Sequence, residues 1–354
     1  MGTWYAKSLD EYIRIIDIIS RRQKVADEKN VLWFRGNEQT DFYYYLEPNI
    51  YRKISSGKET HFENSKKTYG TLWLKEEYRY QHFAARNYDK IQNMPESMIE
   101  WQEVMQHYYS KTRLMDWSES AIVALNFALE AYVDPREDHE ISYRRRHNAP
   151  VIWVLNPVKL NKMVYECFKD CPDLIRNAMK VLRKNDIQKI ITEIKKHEEL
   201  YFLLDKNESA GVNGIVSLSG LEFLRKSYAG SLRQAIKDRS FNPFFYLLLR
   251  YYSDGLAVET DQLTPLAIIH PHHSERIHEQ KGAFTIFPYY AAENGKNARV
   301  HPFAMEFMPR CKSCLDKIVV MDSIGMARQL KEIGVKRSHL YPEMEIVTKD
   351  FECV

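Results

Sequence analysis

Three short stretches of this chain put reactive side chains where apolar runs stop. In residues 31–37, VLWFRGN, four bulky apolar residues lead into Arg35 and Gly36. In residues 106–118, QHYYSKTRLMDWS, the side chains of His107, Thr112, Arg113, Asp116 and Ser118 crowd a short span. In residues 276–284, RIHEQKGAF, Glu279 and Gln280 come just before an apolar run. A guanidinium holds a phosphate or carboxylate through two parallel hydrogen bonds, and glycine lets a ligand approach the backbone closely. Arg35 and Gly36 therefore suit an anion. His107, Asp116 and Glu279 suit proton transfer, or a negative charge facing a developing cation.

The same residues have structural uses. An arginine placed after four apolar residues is costly to bury without a partner. Asp116 or Glu279 can be that partner in an ion pair. Arg113 can bind Asp116 or a helix end, His107 can be a hydrogen-bonded core histidine, and Thr112 can cap a turn. Spacing alone leaves both uses open. No metal is expected. Cys311-Lys-Ser-Cys314 has the spacing of half a zinc site, but Cys167 and Cys171 have the wrong spacing to complete it. His270, His272 and His273 flank Pro271 without a matching carboxylate cluster, which reads as a solvated loop. The five cysteines, with Cys353 the last, are expected to be free thiols in a reducing compartment.

Composition bounds the partners. Of 354 residues, 51 are Lys or Arg and 48 are Asp or Glu, a net charge of +3. That near balance tolerates a nucleotide or nucleic-acid partner without calling for one. Arg144–Arg146 and Lys195–Lys196 are available to such a partner, but no basic stripe is interleaved with aromatics. No apolar run reaches about 18 residues, and the first residues lack the apolar core of a signal peptide. The expectation is a cytoplasmic protein with no membrane partner.

The elements that must position these side chains follow from periodicity. Ser8 before Leu9-Asp10-Glu11 predicts a capped helix, with Leu9, Tyr12, Ile15, Ile16 and Ile19 on one face, ending near Gln23. A strand over 31–34 follows, then an aromatic loop from Thr40 to Arg52. Helices are expected over 59–90, 97–109 and 118–132, the last capped by Ser118, with a break through 110–116. Residues 134–149 are polar loop, and 151–155, VIWVL, are a buried strand. Residues 158–250 are expected to be mostly helical, with a charged helix over 187–204. The strands 266–269, 283–287, 303–308 and 316–321 come late, before a helix over 323–333 that stops at Gly334. Early and middle helices with late strands predict an α+β fold.

The three stretches together resemble the FRG domain family. Its pattern is a strand ending in aromatic-Arg-Gly, then a Leu-x-Pro segment, then a Gln-His block ending Arg-Leu-Leu-Asp-Trp, a Val-Ala-Leu-x-Phe-Ala helix, and an Arg-x-x-x-Gln-x-Gly-x-Phe segment. This chain has Leu46-Glu-Pro48-Asn-Ile-Tyr-Arg52, the Gln106–Ser118 block, Val123-Ala-Leu-Asn-Phe-Ala128 and Arg276–Phe284. The resemblance runs from Ser8 to Leu340-Tyr-Pro-Glu. It implies a single FRG-like domain over 1–354, with a helical insertion at about 158–262. Tyr109-Ser110-Lys111 departs from the family's Gly-Leu-Pro.

The order of the segments is also similar to ADP-ribosyltransferases of the Arg-Ser-Glu type. That similarity implies a split mixed β core flanked by helices, with NAD as substrate lying across it. It puts Arg35, Gly36, Tyr108, Thr112, Arg113 and Ser118 at the NAD site and His107, Asp116, Glu279 and Gln280 at the chemistry. A glutamine at 280 cannot face a cation as a carboxylate would, so the negative charge falls to Glu279 or Asp116. The acceptor implied is nucleic acid or protein. The implied setting is a toxin or anti-phage defence effector, with an antitoxin or regulatory protein as partner. The other reading is a non-catalytic module binding a nucleotide or nucleic acid. A nuclease using His107 and Asp116 would need more metal-binding carboxylates together.

Overall fold

The run VIWVL forms a strand with every residue buried, β4 (Val151–Leu155). Its residues alternate between two apolar clusters, Val151, Trp153 and Leu155 on one side and Ile152 and Val154 on the other. A strand covered on both faces needs no polar alternation, which is why it reads as a continuous apolar run. The computed structural model describes residues 1–25, 32–38, 45–51, 65–87, 91, 95, 98–108, 110–133, 149–180, 216–217, 243–253, 256–258, 262–269, 275–290, 304–335 and 340–341.

Around β4 the strands are β1 (Thr3–Ala6), β2 (Trp33–Asn37), β3 (Leu114–Ser118), β5 (Val216–Ser217), β6 (Ala257–Val258), β7 (Leu266–Ile269), β8 (Gly282–Ile286), β9 (Tyr289–Tyr290) and β10 (Leu315–Val320). Eight form one mixed sheet in the order β1-β10-β4-β2-β3-β8-β7-β5, and β6 pairs with β9. The edge pairs β1–β10 and β5–β7 are parallel, and the pairs between are antiparallel.

The helices are α1 (Leu9–Arg22), α2 (Ser65–Asn87), α3 (Met98–His107), α4 (Ala121–Val133), α5 (Pro157–Lys169), α6 (Pro172–Lys180), α7 (Pro243–Ser253), α8 (Glu275–Glu279) and α9 (Ser323–Glu332). They cover both faces of the sheet. On one face α1, α4 and α9 pack Tyr12, Leu125 and Met326 against Phe34, Ile152 and Ile318. On the other, α5, α6 and α7 pack Phe168, Leu174 and Leu248 against Trp33, Trp153 and Ile268. Local chemistry sets several ends. Ser8 accepts from the Glu11 amide at 3.2 Å and caps α1. Asn156 accepts from Lys159 N at 2.9 Å, and Pro157 opens α5. Beyond α9, Gly334 takes φ +86°, the left-handed turn that favours glycine.

The structure departs from the sequence expectations at four places. The first strand spans 33–37 and not 31–34, so Arg35 and Gly36 lie inside it. The expected break at 110–116 contains β3, and Ser118 ends that strand where a helix cap was expected. Ser120 starts α4 instead, its carbonyl accepting from Ala124 N at 3.1 Å. The expected strand at 303–308 is a 3-10 turn over Met305–Phe307. It is held against residue 46: Met305 N donates to Leu46 O at 2.9 Å, and Leu46 N donates to the buried Glu306 carboxylate. Strands also come early and not only late, while the expected mixed β core flanked by helices is what the sheet forms. The expected helix over 187–204, the loop 134–148 and the histidines 270, 272 and 273 lie outside the described residues. Among the described residues no helix is long and apolar enough to cross a membrane.

Gly36 is where α4 touches the sheet. A Cβ there would lie 1.8 Å from Ala124 O and 2.8 Å from Ala128 N. The missing side chain lets the helix backbone rest on β2, which gives this glycine a packing cause. Gly36→Ala is expected to destabilise the protein by about 1–3 kcal/mol, the range of overpacked sites. The check is the midpoint of denaturant unfolding; an unchanged midpoint contradicts the close packing.

Candidate functional site

The sheet opens at one point. β2 pairs with β4 at five positions but with β3 only at Phe34–Ser118. Past that pair the two strands part. Arg35 bridges the gap, its Nη1 donating to the main-chain oxygen of Asp116 at 2.7 Å. The same guanidinium nitrogen lies 3.8 Å from Asp116 Oδ2. Gln106 Nε2 donates to Asp116 Oδ1, and Thr112 Oγ1 donates to Gln106 Oε1. The Gln-His block thus orients Asp116 from behind. The Asp116 side chain stays 59% exposed, and that of Arg35 is 20% exposed.

A cleft of about 350 Å³ lies over this opening. Its floor comes from β2 and β3 and its walls from α4, through Ala124, Phe127 and Glu130, and from Arg276 and Gln280. The far wall is tied down by β3 and β8. Ser118 Oγ donates to Gln280 O at 2.7 Å, and Glu119 N donates to Lys281 O at 2.9 Å. Gln280 Nε2 donates to Leu340 O at 2.9 Å, which brings residues 340 and 341 to the cleft. There the Arg276 guanidinium stacks 4.7 Å from the Tyr341 ring centroid. The Tyr341 hydroxyl bonds Glu130 Oε2 at 3.1 Å.

The lining carries the guanidinium groups of Arg35 and Arg276 and the carboxyl groups of Glu38, Asp116 and Glu130. Burial raises the pKa of Glu38 above the usual carboxylate value, and the charge of Glu130 raises it further.

Of the residues singled out from sequence, Arg35, Gly36, Asp116, Ser118 and Gln280 line this cleft. The others do not. Arg113 is buried behind β3. Its Nε bonds Glu76 Oε2 at 2.9 Å, its Nη1 donates to Phe287 O at 2.7 Å, and its guanidinium lies 3.9 Å from the Tyr289 ring centroid. Burial pulls the Arg113 pKa down, and the Glu76 carboxylate more than restores it, so the ion stays charged. Thr112 is buried under Gln106. Tyr108 is exposed, its ring 5.9 Å from Phe83. Glu279 points outward beside His278 Nδ1, 3.5 Å away. His107 ends α3, and its side chain lies outside what is described. Sequence reasoning missed Glu38, Glu130 and Arg276. Glu130 had a signal, since it is the one charged residue of α4.

Among the described residues no three His, Cys, Asp or Glu side chains gather as a metal site. Cys311 and Cys314 are buried free thiols, and burial pushes Cys314 up to about 12. Thiols held protonated in this way are poor metal ligands and poor nucleophiles.

Residues 30–137 match the FRG domain. The FRG segment contains the floor of the cleft, with Arg35, Asp116 and Ser118, and the α4 wall with Glu130. Arg276, Gln280 and Tyr341 come from outside it. The sheet likewise joins β2 and β3 of the FRG segment to strands on both sides of it in sequence. No curated protein and no solved structure matches the chain.

Proposed function

We propose that the cleft between β2 and β3 takes NAD and that the protein transfers ADP-ribose to a macromolecular acceptor. The observation that supports this is one 350 Å³ cleft with Arg35 at the opening of the sheet and carboxylates around it. Arg35 binds the diphosphate, with Arg276 on the opposite wall as a second cation. The C1′–nicotinamide bond breaks with its electron pair going to the pyridinium nitrogen, so nicotinamide leaves neutral. The ribosyl cation that remains is stabilised by carboxylate charge. The acceptor oxygen forms the new C1′–O bond and gives its proton to a carboxylate base. With water as acceptor the same steps give NAD hydrolysis.

The acceptor class is nucleic acid or protein, and the setting is a cytoplasmic toxin or phage-defence effector held by an antitoxin or regulatory protein. These rest on the FRG match and the order of the segments. The test is incubation of the protein with labelled NAD, with and without cell lysate, reading nicotinamide release and label transfer. Binding without release is the result of a non-catalytic nucleotide module.

A further inference from the structure

We propose that Glu38 and Glu130 are the catalytic carboxylates of the cleft, with Tyr341 as the residue that positions Glu130. The assignment rests on the NAD reading above and replaces Glu279, which faces away from the cleft. Glu130 is the one charge on the apolar helix α4. Burying a helix face against the sheet gives no reason for a carboxylate there, yet Glu130 is turned to the cleft and gripped by the Tyr341 hydroxyl at 3.1 Å. Tyr341 is itself fixed by the Arg276 guanidinium on its ring and by the neighbouring Leu340–Gln280 bond. The Tyr341 bond fixes the Glu130 carboxylate on the cleft wall, where it faces the ribosyl cation.

Glu38 has the complementary part. It sits just past Arg35 and Gly36, half-buried on the same cleft. Its carboxylate lines the cleft, and burial raises its affinity for a proton, which suits a general base. The acceptor O–H gives its proton to the Glu38 carboxylate as its oxygen bonds C1′, and Glu38 later returns that proton to solvent. The charged and titratable groups facing the pair are Arg35 on β2, Asp116 on β3, Arg276 on α8 and the Tyr341 hydroxyl. The group that must lose a proton is Glu38, so turnover rises with pH through its raised pKa.

The test uses the full chain and its Glu130→Gln, Glu38→Gln and Tyr341→Phe variants. Each is measured for NAD binding by calorimetry and for nicotinamide release across pH. Glu130→Gln is expected to lower kcat roughly 100- to 1,000-fold, the scale of a lost electrostatic stabiliser. NAD binding should change little. Its residual activity should rise at lower pH than the native limb, because the charge that lifted Glu38 is gone. Glu38→Gln is expected to lose about 100-fold or more together with the rising limb. Tyr341→Phe should lower kcat about 10-fold with KM for NAD little changed, since Glu130 is then no longer held toward the ribose. A merely structural Tyr341 would not split kcat from KM. Native turnover with Glu38→Gln and Glu130→Gln at native rates overturns the assignment and leaves the NAD reading standing. No nicotinamide release and no NAD binding by the native protein overturn both.

Discussion

An Arg113→Met protein unfolds about 3–5 kcal/mol more easily than the native one, the usual result of removing one partner from a buried ion pair. Arg113 and Glu76 are 1% and 3% exposed. They connect α2, the start of β3 and the β8–β9 corner, because Arg113 also donates to Phe287 O and Tyr289 donates to Glu76. Taking away the guanidinium leaves the Glu76 carboxylate buried with only the Tyr289 hydroxyl, and leaves Phe287 O one donor short. Against a total stability of roughly 5–15 kcal/mol this is a large share. A second change isolates the cause. Arg113→Met with Glu76→Met should recover much of the loss, because a buried pair replaced by apolar groups of similar volume is often neutral. Denaturant unfolding of the two proteins checks this. A single variant that costs under about 1 kcal/mol contradicts a structural Arg113.

Arg35→Ala behaves in the opposite way. It should stay folded and weaken NAD binding about 10- to 100-fold, the size of a charge-assisted hydrogen bond to phosphate. The fold tolerates the change because the five β2–β4 backbone pairs do not depend on this side chain. The Asp116 carbonyl it serves lies at an open cleft where water can take its place. Arg35→Lys should recover only part of the binding, since it keeps the charge and loses the planar fork. Calorimetric titration with NAD, beside a thermal unfolding curve, separates the outcomes. An Arg35→Ala protein that unfolds makes the arginine a sheet clamp and removes the phosphate role.

The two arginines show what the sequence carried and what it did not. Arg35 was visible as a charge set after four apolar residues, and Arg113 as a partner for Asp116 or a helix end. Which one faced solvent depended on the pairing of β3 with β2 and β8, which no local pattern specifies. β4, α1, β7 and the end of α9 were legible because burial or capping is written into neighbouring residues. β3 was hidden because Asp116 and Ser118 are polar where a buried strand is usually apolar. Their side chains line the cleft, and the polarity this requires erased the strand signal. Residues 305–307 look like a strand by composition, but the bonds to residue 46 fold them into a turn. Glu279 and Gln280 could not be told apart as neighbours in sequence. Their surroundings split them, with Gln280 lining the cleft against Leu340 and Glu279 exposed beside His278.

Cleavage of the nicotinamide–ribose bond in this cleft is the proposed step on which the other roles rest. The most direct measurement is release of nicotinamide from NAD by the native full chain, followed over time beside the Glu130→Gln protein. Steady release by the native protein is expected, at a rate at least about 100-fold above that of the variant. No release by the native protein, with lysate present and at any pH across the range, contradicts it.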